Sequence, residues 1–161
     1  RFPETGWAGF GLMTPPRSRR RDPIVIGWRE RVSFPDFDVV GVKAKVDSGA
    51  QTSSIHAFRP RFSQREDGEW VSFEIHPRRR SRKDAIRVNA KVLTHRWIRS
   101  SNGKRELRPV IITTMALGDE VFEAEMTLAN RHLMAYRMIL GRSAMRGRFV
   151  VDPSKSYQFG E

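Results

Sequence analysis

A predicted strand that ends in a sharp acidic turn is the feature that most constrains this chain. Residues 38–46 alternate apolar side chains with lysines toward their end, as expected of a β-strand with one buried face. Asp47-Ser48-Gly49 follows directly. Gly49 lets the backbone turn sharply without a Cβ clash, and the Ser48 hydroxyl could bond nearby backbone groups and hold the turn. Such a turn exposes one carboxylate on a rigid platform, although Asp-Ser-Gly is also a common plain turn.

Short apolar or alternating segments, separated by turn residues, fill most of the remaining sequence. Asp67-Gly68, Asn102-Gly103 and Gly118-Asp119 mark three tight turns, and residues 60–69 are polar and predict a loop. A short helix is predicted from Ser143 to Arg146. The strands do not alternate with helices, which argues against a Rossmann or P-loop fold. The pattern predicts a mostly-β barrel or sandwich with one short C-terminal helix.

A basic, proline-containing segment precedes the first predicted strand. Residues 1–22 include Pro15-Pro16 and Arg19-Arg20-Arg21 without a strand or helix period. We expect a flexible tail there, with a docking arm for phosphate or an acidic surface as the alternative. Residues 23–161 then form one domain. No apolar run approaches the roughly 18 residues of a membrane span, so we expect no membrane partner and a cytoplasmic protein. A processed or exported form stays open, because the numbering begins at Arg1.

The charge balance points to an anionic partner. The 30 Lys and Arg residues against 18 Asp and Glu residues give a net charge of +12. Such a charge attracts acidic peptides, nucleic acids and anionic membranes over a long range. A solubilising surface explains it equally well. Charge alone therefore indicates a class of partner without selecting one.

Several kinds of catalytic and metal site are disfavoured by the sequence. The chain has no cysteine, which excludes disulfides, thiolate zinc sites and a cysteine nucleophile. Its four histidines form neither His-Glu-x-x-His nor an i, i+4 pair; they are His56, His76, His95 and His132. Residues 141–145 break the Gly-x-Ser-x-Gly pattern at its last position. We therefore expect no metal and no cofactor, and nothing in the chain resembles an ATP site.

A second segment gives the acidic turn a context. Residues 138–142 read Met-Ile-Leu-Gly-Arg, an apolar strand that ends in glycine. Asp47-Ser48-Gly49-Ala50 followed by this segment resembles the retropepsin-like aspartic peptidases. The resemblance narrows to the bacterial retropepsin-like family associated with RimK-type ATP-grasp glutamate ligases, some members of which are labelled ATP-dependent zinc proteases. It covers roughly residues 24–157 and rests also on these segments: Ile26-Gly27-Trp28-Arg29-Glu30, Asn130-Arg131 and Val151-Asp152-Pro153-Ser154-Lys155-Ser156-Tyr157.

The resemblance implies a fold and a catalytic group. The fold would be a single closed acid-protease β-barrel, with the strand before Gly141 packed behind the acidic turn. Asp47 would be the catalytic carboxylate, and Ser48 and Gly49 would shape its turn. Aspartic peptidases need two close carboxylates that share a proton, because two like charges at that distance cannot both ionise. This chain has one such turn, so the resemblance implies a twofold homodimer that brings two copies of Asp47 together.

The same resemblance implies glutamate-rich peptides or oligoglutamate tails as substrate, with a functional link to an ATP-grasp glutamate ligase. The basic charge fits an acidic peptide independently, since arginine pairs well with carboxylates. The candidate substrate-binding residues flank the two motif strands or follow the acidic turn: Lys45, Ala50, Gln51, Thr52, His56, Arg137 and Arg142. Ser48 stands where relatives often have Thr, and Gln51 where they commonly have Arg. The hairpin around Asn102-Gly103 is the candidate cover of the site.

A second hypothesis treats the chain as a binding module. The same basic barrel, without a working carboxylate pair, would hold an acidic protein or a nucleic acid. Trp28, Trp70 and Trp97 could stack on bases beside the arginine runs. Those aromatics fit strand cores equally well, and the sequence contains no RNA- or DNA-binding motif. We therefore expect an acidic peptide, and not a nucleic acid, as the partner.

Overall fold

Twelve strands and one short α-helix make up the architecture of the residues that the computed structural model describes, which are 21–78, 83–100 and 102–160. The elements in chain order are β1 (Ile24–Ile26), β2 (Arg29–Phe34), β3 (Val39–Val46), β4 (Ser53–His56), β5 (Phe58–Arg65), β6 (Gly68–Ile75), β7 (Ile86–Lys91), β8 (Thr94–Arg99), β9 (Arg105–Leu117), β10 (Glu120–Ala129), β11 (Met138–Leu140), α1 (Arg142–Met145) and β12 (Phe149–Val151). Residues 1–20, nearly all of the predicted tail, lie outside the described residues.

Six strands form a ring in which the last strand pairs with the first. Their order is β10-β4-β11-β3-β2-β9, and β9 pairs again with β10. Ring closure gives partners to backbone groups that a free sheet edge would leave unpaired. The fully buried core side chains include Phe34, Ile55, Met115, Met126 and Leu140. The mostly-β, single-domain fold with one short C-terminal helix, predicted from the sequence, is confirmed.

The longest strand, β9, belongs both to the ring and to a hairpin. Residues 110–117 pair with β10, whereas residues 105–110 pair with β8. Val110 marks the changeover, since it pairs with Thr94 of β8 and with Thr127 of β10. The β8–β9 hairpin therefore extends away from the ring without a break in the strand.

The prediction of a loop at residues 60–69 is wrong, because β5 runs to Arg65 and β6 begins at Gly68. β5 is the edge of a three-stranded sheet with the order β5-β6-β7. All of its side chains after Phe58 are exposed. The strand therefore lacks the alternation of buried and exposed residues on which a prediction from sequence depends. Its backbone ladder to β6 fixes it as a strand. The turn predicted at Asp67-Gly68 is confirmed by this hairpin.

β11 lies between β3 and β4, although β3 and β4 follow each other in the chain. It pairs in parallel with β3 and antiparallel with β4. The Leu140 carbonyl accepts the N–H of Asp47 at 2.9 Å, and the Gly141 N–H donates to the Ser53 hydroxyl at 3.0 Å. The first two N–H groups of α1 donate to the carbonyls of residues 50 and 51. The strand before Gly141 thus packs beside the acidic turn, as the family resemblance implied.

Gly141 lies where β11 passes the backbone that follows the acidic turn. A Cβ at this position would lie 2.6 Å from the carbonyl carbon of Thr52 and 2.8 Å from the nitrogen of Ser53. Both neighbours are backbone atoms, which cannot move away by a change of rotamer. Only glycine therefore fits this crossing without a shift of the sheet.

We expect Gly141→Ala to lower the free energy of unfolding by about 1–3 kcal/mol, the usual cost of overpacking. Ser143→Ala, on the exposed side of α1, is the control and should change it by less than about 0.5 kcal/mol. Denaturant titration followed by tryptophan fluorescence measures both variants. A Gly141→Ala protein as stable as the wild type would contradict the close approach.

His56, the last residue of β4, is buried and uncharged. Its exposed fraction is 6%, and its Nδ1 atom accepts the backbone N–H of Arg131 at 2.7 Å. Burial lowers the pKa of His56 to about 4, and the charges of Arg137 and His132 act in the same direction. An acceptor at Nδ1 requires the proton of the neutral ring to sit at Nε2. His56 therefore joins β4 to the segment that begins at Arg131 in its neutral form.

We expect the protein to lose stability as the pH falls from about 6.5 to about 4. In this window the unfolded chain binds a proton at His56 that the folded protein does not bind, so acid favours unfolding. The lowered pKa corresponds to a loss of about 3 kcal/mol across this window. Urea titrations at several pH values should show the stability advantage of the wild type over His56→Asn shrinking with acidification. A constant difference between the two proteins would exclude this role of His56.

Candidate active site

The acidic turn holds the Asp47 carboxylate in one orientation. The Oδ1 atom of Asp47 accepts the N–H of Gly49 at 2.9 Å, and the Asp47 carbonyl accepts the N–H of Ala50 at 3.2 Å. A Cβ at position 49 would lie 3.1 Å from the same Oδ1 atom, so glycine leaves room for this bond. Asp47 is half-buried, while Ser48 and Gly49 are exposed. The carboxylate is therefore fixed at the end of β3 and accessible from solvent.

Arg142 braces the acidic turn from α1. Its Nη1 atom donates to the Ser48 carbonyl at 2.9 Å. The Ser48 hydroxyl, which the sequence suggested as the brace, makes no hydrogen bond within the described part of the chain. The Arg142 guanidinium therefore holds the turn, the role expected of the Ser48 hydroxyl. Substrate binding by Arg142 stays a prediction.

An open cavity of about 1220 Å³ lies beside the Asp47 carboxylate. The acidic turn, the β8–β9 hairpin and parts of the segment 130–136 line it. The predicted site residues that line it with Asp47 are Lys45, Gly49, Ala50, Gln51 and Thr52. Asn102 of the hairpin turn lines the same cavity, so the candidate cover and the acidic turn border one space. The volume exceeds that of common small-molecule pockets, which is about 300–1,000 Å³.

Three predicted substrate-binding residues lie away from this cavity. His56 lines a second cavity of about 900 Å³ with Phe58 and His132. Arg137 places its guanidinium over the Phe58 ring, 4.9 Å from the ring centroid. Arg142 contacts the turn backbone from outside the cavity lining. The structure places His56 and Arg137 away from Asp47 and Arg142 against the backbone of its turn, and contact of all three with substrate stays a prediction.

Two arginines in the main cavity already have carboxylate partners. The Nη1 atom of Arg96 lies 2.7 Å from a carboxylate oxygen of Glu125, and the Nη2 atom of Arg108 lies 3.1 Å from one of Glu106. Glu106 and Glu125 are the other carboxylates that line the cavity. In the described part of the chain, the cavity therefore offers Asp47 no unpaired carboxylate with which to share a proton.

Arg131 lines the cavity and is not among the site residues predicted from the sequence. Its Nε atom donates to the Tyr136 carbonyl at 3.2 Å. Burial lowers the pKa of Arg131, the charge of Arg108 adds to this effect, and the negative charge of Asp47 opposes it. Asn130-Arg131 was one of the segments that carried the family resemblance, and that signal could have pointed to this residue.

Metal-binding side chains are scattered through the fold. No group of three or more His, Cys, Asp or Glu residues that could hold a metal ion occurs within 21–78, 83–100 and 102–160. His76 lies 3.2 Å from Glu74, and His95 pairs with Glu69 on another part of the surface. Across the same ranges, no helix has the length and apolar character needed to cross a bilayer.

Curated relatives match most of this chain. Proteins named probable alpha-L-glutamate ligase from Shewanella pealeana and Desulfotalea psychrophila are 50% and 45% identical to it over 137 residues. The match covers 85% of this chain and 30% of each relative. The chain therefore spans less than a third of the length of these relatives.

A solved structure and a family model agree with this fold. The crystal structure of Lpg0085, a Legionella pneumophila protein of unknown function, superposes with a TM-score of 0.68. The two are 21% identical, with 84% of this chain and 98% of that chain covered, and the likeness shows the fold. The model of the family described as RimB-like, retropepsin-like aspartic endopeptidase RimB, matches residues 25–160. Because that match includes both the acidic turn and the Gly141 crossing, the chain belongs to the RimB-like family of retropepsin-like aspartic endopeptidases.

Proposed function

We propose that this protein hydrolyses peptide bonds as an aspartic peptidase, with Asp47 as its catalytic carboxylate. The observation that carries the proposal is the Asp47 carboxylate itself, fixed by the Gly49 N–H at 2.9 Å on the wall of an open cavity. Ser48 and Gly49 shape the turn around it. Membership of the retropepsin-like family supports the same chemistry.

The active form in this proposal is a homodimer. The other carboxylates of the cavity, Glu106 and Glu125, are each engaged by an arginine. Ser48 and Gly49 are exposed, which leaves the turn open to a second copy. Twofold symmetry places the same residue of both protomers at equal distances from the axis. With the axis beside the acidic turn, as this proposal requires, the two Asp47 carboxylates meet at it.

The proposed mechanism uses the two Asp47 carboxyl groups with one proton between them, because both cannot ionise at close range. The ionised group takes a proton from water as the water oxygen bonds to the peptide carbonyl carbon. The protonated group gives its proton to the carbonyl oxygen, which yields a tetrahedral diol. The diol then returns one proton to the pair, and the pair gives one to the leaving nitrogen as the C–N bond breaks. A carboxylic acid and an amine leave, and the pair again holds one proton.

We propose glutamate-rich peptides or oligoglutamate tails as the substrate class. The net charge of +12 favours an acidic chain. Among the described residues, the cavity cations Lys45, Arg99 and Arg131 have no carboxylate within ion-pair distance. Relatives that carry a matching segment are named as glutamate ligases, which supports a link between this chain and such a ligase. A ligase adds glutamate residues, and this peptidase would remove them.

Binding without cleavage is the second candidate function. Trp97 on β8 is 58% exposed, and the Arg105 guanidinium lies 5.5 Å from its ring centroid. An exposed aromatic ring beside an arginine is suited to stacking on a nucleobase. Trp97 also lines the main cavity, so a non-catalytic barrel would use the same surface to hold an acidic protein or a nucleic acid.

We expect Asp47→Asn to reduce cleavage of a short oligoglutamate peptide by about 10³-fold or more, because the amide cannot accept the proton of the attacking water. Mass spectrometry of the peptide measures the cleavage, and circular dichroism checks the fold. Asp119→Asn, in the exposed turn after β9, is the matched control and should cleave like the wild type. Normal cleavage by Asp47→Asn would exclude the mechanism. Salt-sensitive binding without any cleavage would favour the second candidate.

Mixing tests the dimer directly. When wild-type protein is equilibrated with a tenfold excess of Asp47→Asn, we expect most wild-type chains to enter mixed dimers with one catalytic carboxylate. Activity per wild-type chain should then fall by about tenfold, as mass action requires. An excess of Asp119→Asn should cause no such loss. Unchanged activity beside the Asp47→Asn excess would show that one chain carries the complete site.

A further inference from the structure

We propose that the Arg131 guanidinium is the carboxylate anchor of the cavity, and that it selects peptides with a glutamate side chain close to the scissile bond. The inference rests on the proposed function and adds to it the residue that sets the substrate preference. Arg131 is neither a motif residue of the acidic turn nor one of the substrate-binding residues predicted from the sequence.

Two contacts fix Arg131 while leaving the end of its side chain unused. Its backbone N–H donates to His56 Nδ1 at 2.7 Å, and its Nε donates to the Tyr136 carbonyl at 3.2 Å. Neither Nη atom makes a hydrogen bond or ion pair within the described part of the chain. The side chain is half-buried and lines the cavity that holds Asp47. Arg131 thus lines the cavity with two Nη atoms that make no hydrogen bond within the described residues.

Among the described residues, no carboxylate lies within ion-pair distance of Arg131, whereas Arg96 and Arg108 are paired with Glu125 and Glu106. The carboxylate whose charge acts on Arg131 is that of Asp47. In the proposed dimer two Asp47 groups share one proton and carry one negative charge between them, whereas two copies of Arg131 carry two positive charges. At least one positive charge therefore remains for the substrate, and Lys45 and Arg99 of the same cavity, unpaired among the described residues, add to it.

A guanidinium in this setting favours a carboxylate over an amide. Two parallel N–H donors match the two oxygens of a carboxylate, and charge-assisted bonds of this kind are roughly twice as strong as neutral ones. Partial burial strengthens the attraction further, because the local dielectric is lower than that of water. Glutamine has nearly the shape of glutamate but offers one acceptor oxygen and no charge. Arg131 would therefore separate two peptides that differ only in this group.

A purely structural role for Arg131 makes a different prediction. The bond to His56 uses the backbone N–H, which every substitution except proline retains. The bond to Tyr136 uses Nε, and its loss would loosen the segment between Arg131 and Tyr136. Such loosening would weaken the binding of glutamate and glutamine peptides alike. The ratio of the affinities for glutamate and glutamine peptides therefore distinguishes a carboxylate anchor from a purely structural role.

The test measures peptide binding in an Asp47→Asn background, so that it does not depend on cleavage. Fluorescence anisotropy gives the dissociation constants of three labelled peptides: oligoglutamate amide, oligoglutamine amide and oligoglutamine with a free C-terminal carboxylate. Arg131→Gln and Arg131→Lys are compared with Arg146→Gln. Arg146 is exposed, lies outside both cavities and has no side-chain partner among the described residues, so its substitution removes the same charge from the surface.

We expect Arg131→Gln to weaken oligoglutamate binding by about ten- to a hundredfold and to leave oligoglutamine amide binding within about twofold. Arg131→Lys should recover part of the preference, and Arg146→Gln should change it less than about twofold. Arg131-dependent binding of free-acid oligoglutamine would also support the anchor and would identify the C-terminal carboxylate as its ligand.

Three results would overturn the anchor. They are equal losses for the glutamate and glutamine peptides, equal effects of Arg131→Gln and Arg146→Gln, and no binding of oligoglutamate by the Asp47→Asn protein. If the wild type cleaves no peptide but its preference for glutamate depends on Arg131, the anchor is supported and the proposed peptidase activity is wrong. If the wild type cleaves and neither binding nor cleavage depends on Arg131, the peptidase is supported and the anchor is wrong.

Discussion

Two hydrogen bonds between the acidic turn region and β11 hold the candidate site in place. They join Asp47 to Leu140 and Gly141 to Ser53, and the partners of the second are 88 positions apart in the chain. Contacts between such distant segments form only when the loop that separates them has closed. The orientation of the carboxylate is therefore a property of the closed ring of strands, and local turn chemistry supplies only part of it. This dependence explains why the same Asp-Ser-Gly sequence elsewhere can be a plain turn.

Sequence patterns predicted two kinds of element: strands in which buried and exposed residues alternate, and apolar segments that end at a turn residue. β3 alternates and ends one residue before Asp47, and the apolar strand before Gly141 and the short helix after it were predicted close to their observed positions. β5 escaped prediction because its side chains face solvent and only the ladder to β6 makes it a strand. Periodicity of apolar residues reports which side chains are buried, so it does not reveal an edge strand whose side chains are exposed.

The residues next to Asp47 in the chain could be predicted as members of the candidate site, whereas the more distant residues that line the cavity could not. Residues 50–52 lie beside Asp47 because they follow it directly in the chain. His56 is only a few residues further on, yet β4 carries it to the second cavity. The proposed role of Arg131 depends on which other arginines have carboxylate partners, and the ion pair between β8 and β10 joins residues 29 positions apart. No local sequence pattern contains that information, since it arises when strands distant in the chain become neighbours.

The continuity of β9 has a mechanical consequence. One strand forms both the wall of the ring and one arm of the β8–β9 hairpin, so continuous strand backbone, and not a loop, joins the hairpin to the ring at Val110. Pro109, next to this junction, has no N–H to give to the ladder. A displacement of the hairpin would therefore bend β9, the same strand that carries the ladder to β10 in the ring.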